Sequence, residues 1–216
     1  MRILTGSIFW MLAALLCLQS SVYARIDPNK VIVLANSNSV ESLQVAEYYM
    51  RGRSIPASNL LMLPMSMKEE ISWDEFVSEI YNPMLEGCID KGWVSGDRSD
   101  RYDKAGRRIF ALYGNKIDFL VLSKDVPLKV AHNPELIPNP PPPGLKDEYM
   151  TTHASVDSEL SLMPMPKPRI YSYVTNPLFQ KLNPGSFTTG QILRVARLDG
   201  PTVEDVYLMI NNALLA

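Results

Sequence analysis

"KVIVLANSNSVESLQVAEYYMRGRSIPASNLLML", Lys30–Leu63, decides the fold. It opens with an unbroken apolar run, Val31 to Ala35. A run without alternation reads as a strand buried on both faces, as in a parallel sheet. The polar loop Asn36-Ser37-Asn38-Ser39 ends it. "VESLQVAEYYMRGR" then reads as a helix. Leu43, Ala46, Tyr49 and Met50 fall on one face at helical spacing, and Gly52 is the expected stop. Pro56 marks a turn. "NLLML" is a second strand, closed by Pro64. Strand, helix and strand make a βαβ unit, whose crossover is right-handed by rule.

Working outward, "SWDEFVSEIYNPMLEGCIDKG" predicts a second helix. Ser72 and Glu75 have capping-box spacing. Phe76, Ile80, Met84 and Cys88 recur every four residues and make one apolar stripe. Pro83 is expected to kink or split this helix. The stripe makes Cys88 a packed thiol instead of a nucleophile. The charged stretch from Trp93 to Arg108 reads as a solvated connection, and "IFALYGNK" as a helix running into a turn at Gly114-Asn115. "IDFLVLSKDVPLKV" holds the clearest strand, Phe119 to Leu122, with Lys124 and Asp125 just past its end. A long Pro-rich loop follows, "NPELIPNPPPPG", echoed by "MPMPKP". "ILRVARL" reads as a strand. "DGPTVEDVYLMINNALLA" reads as a helix with Thr202 as N-cap and Val203, Val206, Tyr207, Ile210 and Leu214 facing inward.

The expected architecture is therefore α/β: a mainly parallel sheet of about four strands with helices on both faces. Such a three-layer sandwich is flavodoxin-like or caspase-like, here with a Pro-rich loop insertion. A hydrophobic content of 46% against 20% charged residues allows a packed core. The formal net charge of -2 offers no basic stripe for nucleic acid.

The first 24 residues have the layout of a secretory signal peptide. Arg2 is basic, Ile3 to Leu18 is apolar, and Val22-Tyr23-Ala24 is a small-residue cleavage site. Cleavage after Ala24 leaves 25–216 as one α/β domain without a membrane span, secreted or held in the periplasm or cell envelope. It also removes Cys17, so Cys88 has no partner for an internal disulfide. The last helix lacks a C-terminal stop signal, which suggests the N-terminal part of a longer protein.

Chemical motifs are sparse. "GSFTTGQI", Gly185–Ile192, has the glycine spacing of a P-loop, but Gln191 and Ile192 stand where Lys and Ser/Thr are needed. The Asn36–Ser39 loop has no glycine for a pyrophosphate cradle. His153 and Asp157 lie four apart with His132 upstream, and a third metal ligand is missing. No metal or cofactor is expected. "HASVDSELSLM", His153–Met163, reads first as a short helix capped by Ser155 and stopped by Pro164, with Asp157 at its positive end.

Several phrases together carry a resemblance. They are "VIVLANSNSVESLQVAEYYMRGRSIPASNLL", "FLVLSKDVPLKV", "ASVDSELSLM", "NPLF" and "RVARLDGPTVEDV". The set resembles an uncharacterised family of exported bacterial proteins from genomes with exosortase-type sorting systems, and covers most of Lys30 to Leu214. It implies an envelope or secreted protein. A more remote pattern is similar to gingipain-type cysteine peptidases of the caspase-like fold. Lys124-Asp125, Asp157 and Arg197-Leu198 occupy corresponding places. The His-Gly of that group is missing here: His132 precedes Asn133, and His153 precedes Ala154.

In open α/β sheets, ligands bind beyond the carboxyl ends of strands. That rule selects Asn36, Ser37, Asn38, Lys124, Asp125, Arg197 and Asp199, with Asp157 reaching the same rim. Lys124, Asp157 and Arg197 are expected to form one charged cluster. Two functions follow as expectations. One is a non-catalytic exported module of envelope or protein-sorting biology, whose partner is an unknown peptide, glycan or envelope protein. The other is the N-terminal portion of a caspase-like peptidase whose His/Cys dyad lies beyond residue 216.

Overall fold

A computed structural model describes residues 26–140, 142–144, 146–165, 168–174 and 192–215. The segment 1–24 read as a signal peptide, the phrase "NPLF" and all of the P-loop-like stretch except Ile192 lie outside the described residues.

Four parallel strands form the central sheet in the order β2-β1-β6-β9. They are β1 (Val31–Asn36), β2 (Leu60–Leu63), β6 (Phe119–Leu122) and β9 (Arg194–Arg197). Every residue of β1 is buried, as its unbroken apolar run requires. Val31, Val33 and Ala35 point to one helical layer, and Ile32 and Leu34 to the other. The first layer is α1 (Val40–Arg53) with α5 (Val203–Leu215), through Val45, Ala46, Met50, Val206 and Ile210. The second holds α2 (Trp73–Glu75), a π-helical segment (Phe76–Tyr81) and α3 (Asn82–Asp90). Phe76, Ile80, Met84 and Cys88 are all fully buried there. The expected three-layer α/β sandwich is what the chain adopts.

Two helices depart in detail from the expectation. α1 runs past Gly52 and stops at Ser54, which takes the left-handed conformation at φ 56° and bonds back to the last turn. Gly52 has a different role: a Cβ there would lie 2.9 Å from Leu214 Cδ1, so the glycine lets α5 approach. Pro83 does not split the second helix. Proline cannot donate to the preceding turn, and the helix widens into π geometry just before it, with Asn82 N–H reaching Val77 O. The Ser72–Glu75 capping box forms in both directions.

The charged stretch is a correction. It is not a loose connection, and "IFALYGN" is not helical. β4 (Val94–Tyr102) and β5 (Arg108–Asn115) form an antiparallel hairpin. Its polar residues face water on both sides, so its alternation was hidden. A small sheet, β3-β7-β8, stands apart. It contains β3 (Glu70–Ile71), β7 (Lys129–Val130) and β8 (Ala154–Ser155). The Pro-rich loop runs between β7 and β8. α4 (Val156–Ser161) follows β8 at once, with Ser155 as N-cap and Leu160 buried.

The strand order locates the site. From β1 the chain moves to β2 on one side, then returns to β6 on the other. The two loops leaving β1 and β6 therefore diverge at a topological switch point, which opens a crevice at their carboxyl ends.

Candidate functional site

The loop after β1 and the loop after β6 are knotted together by Asn36. This side chain is fully buried. Its amide donates to Asp125 O at 3.0 Å and Ser66 O at 3.3 Å. Its oxygen accepts from Asn38 N–H at 3.0 Å and Met65 N–H at 3.1 Å. Asn36 thus builds the crevice floor and has little left for a ligand. Ser37 and Asn38 are exposed at the rim. Asn38 spends its amide on Met65 O at 2.9 Å.

Asp125 is the centre of the crevice. Its backbone sits in the left-handed region at φ 60°, a conformation that Asp tolerates better than most residues but that still costs free energy. One carboxylate oxygen accepts from Ser39 Oγ and the other from Lys124 Nζ at 3.0 Å. Ser39 is also the N-cap of α1, so one carboxylate ties that helix start to the end of β6. Lys124 is nearly buried and has a second carboxylate, Glu41, at 3.3 Å. The hydrogen bond to Asp125 holds the Lys124 ammonium above its ordinary pKa, ahead of a weaker opposing effect of burial. It is a fixed positive charge, not a base.

These groups open on a cleft of about 490 Å³. One wall is Met67, Lys68 and Glu69, leading into β3. The other is Lys124 to Leu128, and Asp199, Gly200 and Pro201 close the end. Asp199 accepts from Gly200 N–H at 2.9 Å and forms no ion pair among the described residues.

Asp157 and Arg197 do meet. Arg197 Nε lies 3.1 and 3.2 Å from the two Asp157 oxygens, and its terminal nitrogens donate to Val126 O and Pro127 O. This guanidinium staples α4, β9 and the loop after β6. The expected three-residue cluster does not form, because Lys124 bonds Asp125 and Glu41 instead. Lys124 leaves its strand toward the start of α1, while Arg197 turns toward α4 behind the Val126-Pro127 backbone. Asp157 and Arg197 hold the cleft wall and do not line it.

Sequence reasoning missed Ser39, Glu41 and the Met67–Glu69 wall. Ser39 carried a usable signal, since it stands at the N-cap of a helix that starts at the switch point. Reasoning also missed a buried charge centre beside α4. Arg107 is 1% exposed and Glu159 6%. Arg107 donates to Asp103 at 2.8 Å, Glu159 at 2.9 Å and Pro168 O at 2.7 Å. Its guanidinium lies over the rings of Trp73 and Tyr81. Burial pushes Glu159 up to about 7, against the pull of Arg107. Cys88 is fully enclosed, and burial pushes its thiol up to about 12.

No group of three or more metal-ligating side chains occurs among the described residues, and no helix among them is long and apolar enough to cross a membrane. Comparison with protein-family models, with curated proteins and with solved structures produced no match to the chain.

Proposed function

We propose that the chain is an exported, non-catalytic envelope module that binds a polypeptide in the switch-point cleft. The observation that carries this reading is Asp125: a strained residue at the topological switch point, whose carboxylate organises the cleft instead of reacting. Strain of this kind clusters at ligand sites. The charged groups support binding over chemistry. Lys124 is held protonated between two carboxylates, and the Cys88 thiol is sealed in the core.

The cleft wall favours an extended peptide. Met67, Pro127, Leu128 and Pro201 supply apolar surface. Met67–Glu69 runs into β3, whose outer edge has no partner strand among the described residues. Such an edge suits strand addition. Glu69, Asp125 and Asp199 outnumber Lys68 and Lys124 in the lining, so the favoured peptide carries a Lys or Arg.

Two measurements test this. The exported protein should begin at Arg25 by N-terminal sequencing, and retention of residues 1–24 would remove the export reading. On an array of decapeptides, the purified mature protein should select sequences with a basic residue. Asp199→Asn should weaken the best binder about tenfold, the value of roughly 1.4 kcal/mol for one lost ionic hydrogen bond, with an unchanged melting temperature. Equal binding by wild type and variant would reject the cleft as the peptide site.

A further inference from the structure

A cavity of about 620 Å³ lies at the opposite end of the sheet from the switch-point cleft. Val31 and Phe119, the first residues of β1 and β6, line it with Val121 and Ile55. All four belong to the side of the sheet covered by α1 and α5. Ala196 stands in register with Val121 on the edge strand β9, yet it is exposed while Val121 is buried. The helical layer therefore stops short of this corner, and the alanine leaves the space unfilled. The volume falls within the range of small-molecule sites.

The polar groups gather at the end of α1. Among the described residues that line the cavity, Arg53 is the sole charged side chain. One of its terminal nitrogens donates to Ala213 O at 2.8 Å, and it forms no ion pair among the described residues. Its other N–H groups remain for an anion. Tyr49, one turn earlier, lines the same space. Burial raises the pKa of its hydroxyl, against the opposing field of Arg53, so the hydroxyl keeps its proton to donate. Arg194 lies over the Phe119 ring at 4.7 Å and adds a second positive charge on this face of the sheet. The acids at this end are engaged elsewhere. Asp27 accepts from Asn29 N–H at 3.0 Å, and Asp118 pairs with Lys30 at 3.5 Å.

This combination selects a ligand class. A peptide would bring backbone N–H and C=O groups into an apolar wall that offers them few partners, which is costly. An acyl chain needs none. A neutral hydrocarbon would leave the Arg53 guanidinium unused, whereas a carboxylate matches its fork and the Tyr49 hydroxyl together. We propose that this cavity binds a free fatty acid, with the carboxylate at Arg53 and Tyr49 and the chain along Val31, Phe119 and Val121.

Isothermal titration of the full mature protein with laurate at pH 8, below its micelle concentration, tests this. Saturable binding at one site per chain is expected. Decanoate should bind more weakly, by about fourfold per methylene removed. Arg53→Gln should weaken laurate binding about tenfold, the loss of one ionic hydrogen bond, and Arg53→Lys should retain most of the affinity. Ala196→Phe fills the cavity from its open side and should abolish binding at an unchanged melting temperature. Asp199→Asn, in the other cleft, should leave laurate binding unchanged, so this result and the peptide result are read independently. Absence of saturable binding overturns the proposal. So does equal affinity for dodecyltrimethylammonium, or binding that survives both Arg53→Gln and Ala196→Phe. A stable dimer in sedimentation that laurate does not open would make a second copy the occupant and would equally overturn it.

Discussion

Replacing Arg107 by methionine is expected to destabilise the protein by about 3–5 kcal/mol, the usual cost of removing one partner from a buried ion pair. On a chain of this size that corresponds to a fall in melting temperature of roughly 10 °C. The reason lies in what remains. Asp103 loses the partner at 2.8 Å and Glu159 the partner at 2.9 Å. Pro168 O loses its donor. Methionine fills the space above Trp73 and Tyr81 but satisfies none of these oxygens. The double variant Arg107→Met with Glu159→Gln should recover part of the loss, because a neutral amide no longer leaves a buried charge without a counterion. Urea denaturation of the four proteins in the cycle measures the coupling. Additive single effects, or an Arg107→Met loss below about 1 kcal/mol, would show that the guanidinium is solvated in solution.

The contrast between Arg107 and β1 explains what was legible. β1 announces itself locally: five consecutive apolar residues cannot be half-exposed, so a buried parallel strand follows. The capping box at Ser72 and the cap at Ser155 are equally local, because each bond spans three residues. Arg107 depends on Glu159, fifty-two positions away, and on a hairpin whose two faces are both polar. Neither periodicity nor composition separates it from a surface arginine. The same limit applies at the site. The carboxyl-end rule finds Asp125, Lys124 and Asp199 because it needs only strand ends. It could not assign Lys124 to Glu41 over Asp157, because that choice depends on the order β2-β1-β6-β9. Strand order is set by which faces pack together, and a linear pattern does not encode it.

The strand order also gives the two carboxylates of α4 their different roles. Asp157 lies at the first turn and reaches Arg197 across the sheet edge, partly exposed in its role as a staple. Glu159, two residues on, faces the opposite way into the core. One short helix therefore holds the wall of the cleft with one acid and the foot of the hairpin with the other.

Glu159 is expected to make the protein more stable as pH falls from 8 to 5, the reverse of ordinary acid destabilisation. Burial raises its pKa to about 7 in the folded state, from an ordinary value of 4.5. Between these values the native state holds a proton that the unfolded chain has released. Stability therefore declines as pH rises through this window, and the contribution is complete below about 4.5. The shift corresponds to about 3 kcal/mol at most. Arg107 also pairs with Asp103 at 2.8 Å, so protonation of Glu159 does not strand the guanidinium. Glu159→Gln keeps an acceptor for Arg107 and removes the titration. Its stability should match wild type near pH 5 and exceed it near pH 8. Urea midpoints of both proteins at pH 5, 6, 7 and 8 give the difference curve, in which every other titrating group cancels. A difference that stays flat across this range would mean that Glu159 is already ionised at pH 5, with Arg107 outweighing its burial.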